Sequence, residues 1–305
     1  MAATDTEGQL GWEARQRPRA AVAAAAAAVL TLGASIGSAL LFADAPRAGL
    51  LDALSRAAQP GPADALPSLR TPYFQFFDDR AGAVLALGVA RLAGFVAIAW
   101  VLTFLASATK ARRHELPRIA LYIGLVGGVL SGLSWLLSTI GSVVAVNEFL
   151  SGARTVDEAR RIGEGTLIVT AQILGLPGSL GLGLGFVMVS MNAMRTGLLT
   201  RFMGVLGIIC GVLVVIPIGS PLPIVQCFWL GALAALLAAR WPRGMPPAWQ
   251  TGRAEPWPSQ QQLRAARGAA AAEPPAPEAA EEPVAVTGGR EHPASKKRKK
   301  RKRRA

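Results

Sequence analysis

The sequence predicts an all-α fold: a polytopic transmembrane bundle of about six helices, followed by a disordered, basic C-terminal tail. Three observations carry this. Six long apolar stretches begin near Ala20, Ala83, Ile119, Thr166, Phe202 and Leu222. Each reads as long enough to cross a bilayer as a helix, which takes ~20 residues at 1.5 Å per residue. Hydrophobic residues make up 51% of the chain and fall in blocks, a pattern too apolar for a soluble domain of this length. Positive charge is concentrated at one end: nine consecutive basic residues, Lys296–Arg304, account for nine units of the net +13 and leave +4 for the rest. Because lipid offers the backbone no hydrogen-bond partners, the apolar blocks are helices.

Four regions follow: a cytoplasmic arm over 1–19, a six-span domain over 20–241, a Trp/Pro juxtamembrane segment over 242–259, and a disordered tail over 260–305. The first span, Ala20–Ala43, is Ala-rich and follows Arg15, Arg17 and Arg19. A signal peptide cleaved near Ala43–Ala45 is one reading. The stretch exceeds the 7–15 residues of a signal-peptide core, so a retained helix is preferred.

Orientation follows the positive residues of short loops. Arg15, Arg17 and Arg19, then Lys110, Arg112, Arg113 and Arg118, then Arg195 and Arg201, then Arg240 and Arg243 all fall on one side of a six-span chain. The opposite side receives loops 43–82 and 147–165, where acids accompany the arginines. Both termini are therefore assigned to the cytoplasm, and the protein to the plasma (inner) membrane.

In loop 43–82, Leu50, Leu51 and Leu54 share one face of a short helix suited to the outer interface. Tyr73, Phe74, Phe76 and Phe77 read as an interfacial aromatic belt. In loop 147–165, Thr155 and Glu158 have the spacing of a capping box and start another short helix. After the last span, Trp241, Trp249 and Trp257 alternate with prolines, as in a segment lying along headgroups. Beyond Gln260 the composition turns to Ala, Glu and Pro, too poor in large apolar residues to fold. The chain from Pro242 to Ser295 reads as a tether with a reach of ~40 Å.

Small residues at helical spacing (Gly33 and Gly37; Gly124, Gly128 and Gly132; Gly181 and Gly185; Gly207 and Gly211) predict close helix packing, and offer faces for a homo-oligomer. Span four carries Pro177 and Gly178 near its middle, which predicts a kink or break, and interrupted helices build binding sites in transporters. Gln172, one turn earlier, satisfies freed backbone groups or faces a cavity. Arg91 is the one charge well inside a predicted span. It is either an intramembrane functional charge or an interfacial residue that snorkels outward, with Asp78 or Asp79 as partner.

No Asp or Glu lies mid-span, so the carboxylate relay of a proton-coupled carrier is missing. Gly33-Ala-Ser35-Ile-Gly37 matches the spacing of a hydrolase elbow but lies in an Ala-rich helix without a strand or a nearby histidine. Cys210 and Cys227 lack metal-type or disulfide-framework neighbours and read as small apolar residues. No cofactor or enzymatic activity is expected. The tail (Lys296, Lys297, Arg298, Lys299, Lys300, Arg301, Lys302, Arg303, Arg304) suits anionic lipid at ~1 kcal/mol per residue, or nucleic acid phosphates. It has no interleaved aromatics for base stacking.

Met194-Arg195 through Gly204 and Gly207, then Trp229, Trp249-Gln-Thr-Gly252 and Pro256-Trp257 resemble uncharacterised actinobacterial multi-pass membrane proteins, a likeness that covers about the last third of this chain. The resemblance implies a six-helix inner-membrane protein and no particular chemistry. The residues point to a non-enzymatic membrane anchor or scaffold with a polybasic tail. The alternative is a small-solute transporter built on span four.

Overall fold

The computed structural model describes residues 3–58, 62–113, 119–216, 223–242, 244–255 and 265. Met1–Trp257 forms one compact unit and Pro258–Ala305 a second; the elements below belong to the first. In chain order they are α1 (Ala3–Leu41), α2 (Leu50–Ala57), α3 (Thr71–Asp78), α4 (Ala81–Arg112), α5 (Ile119–Ser151), α6 (Val156–Arg161), α7 (Thr166–Arg195), α8 (Arg201–Val215), α9 (Ile224–Leu237) and α10 (Ala248–Thr251). Among the described residues the β-structure is one isolated bridge, Pro67 to Thr155.

Among the described residues four helices, α1, α4, α5 and α7, are long and apolar enough to cross a membrane. α8 and α9 are apolar but have 15 and 14 residues, about 22 and 21 Å. That falls short of the ~30 Å hydrocarbon layer. Pro223 is the residue before α9 and has no backbone donor to offer.

The bundle is held by glycine seams. Along α5 and α7, Gly124 faces Gly185, Gly127 faces Gly181, Ser131 faces Gly178, Ser134 faces Gly175, and Gly141 faces Ile168. This is one antiparallel register over the length of both helices. A Cβ at Gly185 would lie 2.5 Å from Gly124 Cα, so only hydrogens let the backbones approach this closely. α8 packs on α7 in the same way, with Gly207 on Ser190 and Gly204 on Met194. The glycine faces of α5, α7 and α8 are thus occupied within the chain. Gly33 has nothing within 4 Å.

A second antiparallel register joins α1 to α4: Glu13 meets Arg112, Thr31 meets Gly94, Ser35 meets Arg91 and Gly37 meets Leu87. The predicted arm is therefore no separate element. α1 runs unbroken for 39 residues through Pro18, because its first turns dock on the end of α4. Ala20, Ala24 and Ala27 are fully buried; a chain cut near Ala43 would lose this wall of the core.

The outward surface is apolar. Val22, Val29, Ile36 and Leu40 on α1, Ile173, Leu176, Leu180 and Leu184 on α7, and Phe202, Val205, Ile209 and Val212 on α8 are all exposed, at helical spacing. Apolar stripes turned outward on successive helices are what a bilayer solvates and water does not.

The two acidic loops meet at one end. Ser68 N donates to Arg154 O at 2.7 Å and Val156 N to Leu66 O at 3.0 Å. Arg160 pairs with Asp64 at 2.7 Å. Thr155 and Glu158 form the expected capping box on α6. The aromatics are not a belt: Phe74 is buried edge-on against Phe149, centroids 4.9 Å apart, and Phe42 stacks on Tyr73 and Phe77. They stitch the loops into a lid, because apolar rings close to one another exclude more water together than separately. α2 keeps Leu50, Leu51 and Leu54 exposed, an unpartnered apolar face of the kind an interfacial helix presents.

Candidate functional site

Two constellations bring polar chemistry together, one at each level of the bundle. The first is at the end opposite the lid. Arg112 closes α4, and its guanidinium grips Glu13 with two parallel bonds, at 2.5 and 2.7 Å. It also donates to the carbonyl of Ala248 (2.7 Å) and to that of Ala108 (2.9 Å). The two charged side chains are 0% and 3% exposed. Such a pair survives burial only when its donors and acceptors are satisfied, and here Gln9 adds a further bond to Glu13 at 2.9 Å.

Around the pair lies an aromatic stack. Trp12, Phe104 and Trp249 follow one another at centroid distances of 5.6 and 6.0 Å. The Arg112 guanidinium lies 5.4 Å from the Trp249 ring, within cation–π range. Trp249 Nε1 donates to Leu198 O at 3.0 Å, and Glu255 N donates to Thr196 O at 3.2 Å. Residues 196–199 form the tight α7–α8 turn, where Gly197 adopts φ 78°, a left-handed conformation that a Cβ would strain.

Trp249 therefore does not lie along headgroups. It is buried, and it clamps the chain leaving α9 onto α1, α4 and the α7–α8 turn. Trp249→Phe keeps the stack and strands the Leu198 carbonyl. The expected loss is about 1–2 kcal/mol, read as a lower thermal midpoint of the purified protein. Trp257 lies outside the described residues.

The second constellation surrounds Arg91. It sits inside α4, and its Nη2 donates to Ser35 Oγ at 2.9 Å. Its guanidinium lies 4.2 Å from the centre of the Trp135 ring. The expected partners Asp78 and Asp79 are not used: they lie beyond the end of α4, more than two turns away, and Ser35 of α1 is within reach. Two cavities share Arg91 and Trp135. One, about 200 Å³, is lined in part by Ser38, Gly88, Ser138, Thr139 and Ser142; the other, about 160 Å³, by Thr31, Phe95, Ile98, Pro223 and Gln226.

The remaining predicted positions do not converge on these cavities. α7 continues as a helix through Pro177, so span four is not broken. The seam with α5 holds it on both sides of the proline, and Ser134 Oγ donates to Ala171 O at 2.8 Å. Pro177 and Gln172 lie on the exposed face, and neither lines the cavities beside Arg91. Gly178 is buried against the Ser131 backbone and is a packing residue. Lys296–Arg304 lie outside the described residues.

Glu13, Ser35, Trp135 and the packed role of Trp249 escape a sequence reading. Glu13 stands among Arg15, Arg17 and Arg19 with its partner 99 residues away. An acid just before three arginines was the available signal. No protein-family model, curated protein or solved structure matches the chain.

Proposed function

We propose that the chain is a six-helix protein of the plasma (inner) membrane, with both termini cytoplasmic. It acts as a non-enzymatic anchor whose tail, Lys296–Arg304, engages anionic lipid headgroups or nucleic acid. The observation supporting this is the buried Glu13–Arg112–Trp249 clamp. An anchor must transmit position, and the clamp fixes the chain up to Glu255 on the bundle, 40 residues before the basic run. The ends also agree with this orientation. Glu13, Arg112, the α7–α8 turn and α10 share one end, whereas the acid-containing loops share the other. α8 and α9 leave and return to the clamp end, so the start of α1 and α10 share that end, which supports this orientation whether or not the hairpin reaches the far leaflet. A second copy would use the open α1 face around Gly33.

The test is ultraviolet crosslinking in cells, comparing the full chain with a version ending at Ser295. Nucleic acid crosslinks that vanish with the nine basic residues support a tether for RNA or DNA. If neither version crosslinks, flotation with vesicles containing anionic lipid decides: equal flotation of both versions removes the tail from the function. The transporter alternative rests on Arg91 alone, since the helical continuity of α7 takes away the interrupted span it was built on.

A further inference from the structure

A guanidinium carries five N–H donors and a charge that no membrane interior solvates. Arg91 offers one N–H to Ser35 and its face to Trp135. Among the described residues no carboxylate pairs with it. At the clamp, by contrast, every nitrogen of the Arg112 guanidinium is bonded to protein. The α1–α4 register fixes its depth. The exposed α1 stripe runs from Val22 to Leu40, and Ser35, level with Arg91, lies five residues inside its lid end. That is about 8 Å, within reach of lipid phosphates for a long side chain.

The space beside Arg91 is shaped for a ligand. The 200 Å³ cavity has a wall of hydroxyl side chains, Ser38, Ser138, Thr139 and Ser142, and the 160 Å³ cavity has mainly apolar walls. Ser142 also lines a third, larger cavity of about 630 Å³ under the lid, which Arg56, Arg70 and Arg160 border. Arg160 is paired with Asp64; Arg56 and Arg70 have no acid partner among the described residues. Basic residues thus mark both the lid end of this row of cavities and its inner end, with hydroxyls between.

We propose that the Arg91 cleft binds a phosphate-type oxyanion, entering from the lid side and held by the Arg91 guanidinium beside the hydroxyl wall. The chemistry is that of a lipid phosphodiester or of free phosphate. The inference is independent of the tail.

The experiment is native mass spectrometry of the full chain, released from detergent after incubation with phosphatidylglycerol, with phosphatidylcholine, or with inorganic phosphate. Three chains are compared: unaltered, Arg91→Gln and Ser138→Leu. The second variant fills the hydroxyl-lined cavity and leaves the charge in place, so it remains informative if Arg91→Gln fails to fold. The tail is present throughout and contributes equally to all three.

The expected result is one tightly held phosphatidylglycerol on the unaltered chain, reduced at least tenfold by either substitution, with phosphatidylcholine held more weakly. Displacement of that lipid by millimolar phosphate, with a phosphate adduct in its place, assigns the site to the free anion. Equal retention of both ligands by the unaltered and Ser138→Leu chains overturns the proposal.

Discussion

Replacing Glu13 by Ala destabilises the protein by about 3–5 kcal/mol, because it leaves a buried guanidinium without its carboxylate. Arg112→Ala has an effect of the same size, since the Glu13 carboxylate and the Ala248 carbonyl then lose their donors. Arg112→Lys does not rescue it. A single ammonium cannot make two parallel bonds to Glu13 and still reach Ala248. The double substitution Glu13→Leu with Arg112→Met is milder than either single change, because no uncompensated charge remains. The measurement is unfolding of the purified protein followed by tryptophan fluorescence, to which Trp12 and Trp249 contribute among seven tryptophans. A double variant as unstable as the two single losses combined would show that the pair acts as independent contacts. The clamp also predicts that Arg112→Ala exposes the segment after α9 to added protease, since α10 loses its hold on α4.

Gly127→Leu prevents the bundle from assembling. A Cβ at this position falls on the backbone of Gly181 and Leu182, and no rotamer moves a Cβ. Overpacking in a core costs about 1–3 kcal/mol when side chains can shift; here two helix backbones must separate, and the seam from Gly124–Gly185 to Gly141–Ile168 opens with them. The expected loss exceeds about 3 kcal/mol and is read as absence of folded, monodisperse protein after extraction. Gly33→Ala is the control. With nothing within 4 Å of the new methyl, it gains up to about 1 kcal/mol of helix propensity. Normal yield of Gly127→Leu would mean that α5 and α7 do not meet on this face.

Much of the fold was legible because long apolar blocks simplify the code. With no water to satisfy backbone groups, a long apolar block becomes a helix, and glycines four apart mark where backbones meet. The capping box on α6 was equally legible, since Thr155 and Glu158 are three residues apart and act on their own turn. The equality of the six spans was not. α8 and α9 have 15 and 14 residues with prolines in the sequence between them, and the hydropathy that suggested full spans does not register a missing donor. The continuity of α7 was hidden as well: Pro177 weakens its helix locally, and five contacts with α5, distant in sequence, hold it.

The candidate sites divide in the same way. Arg91 stood out on its own because a charge in an apolar block is costly, so its importance was a local fact. Its partners were not local: Ser35 lies 56 residues away, in a segment that reads as plain Ala-rich helix. Trp249 has the composition of a headgroup-lying residue, and only the proximity of Phe104, Arg112 and Leu198 makes it a clamp. The sequence by itself determined the class of the molecule, the helices and the faces by which they pack, since these depend on the solvent and on spacings within one turn. The tertiary structure alone decided which buried charge is answered by protein and which is left open, because that depends on which side chains two registers, α1 with α4 and α5 with α7, bring within hydrogen-bond distance.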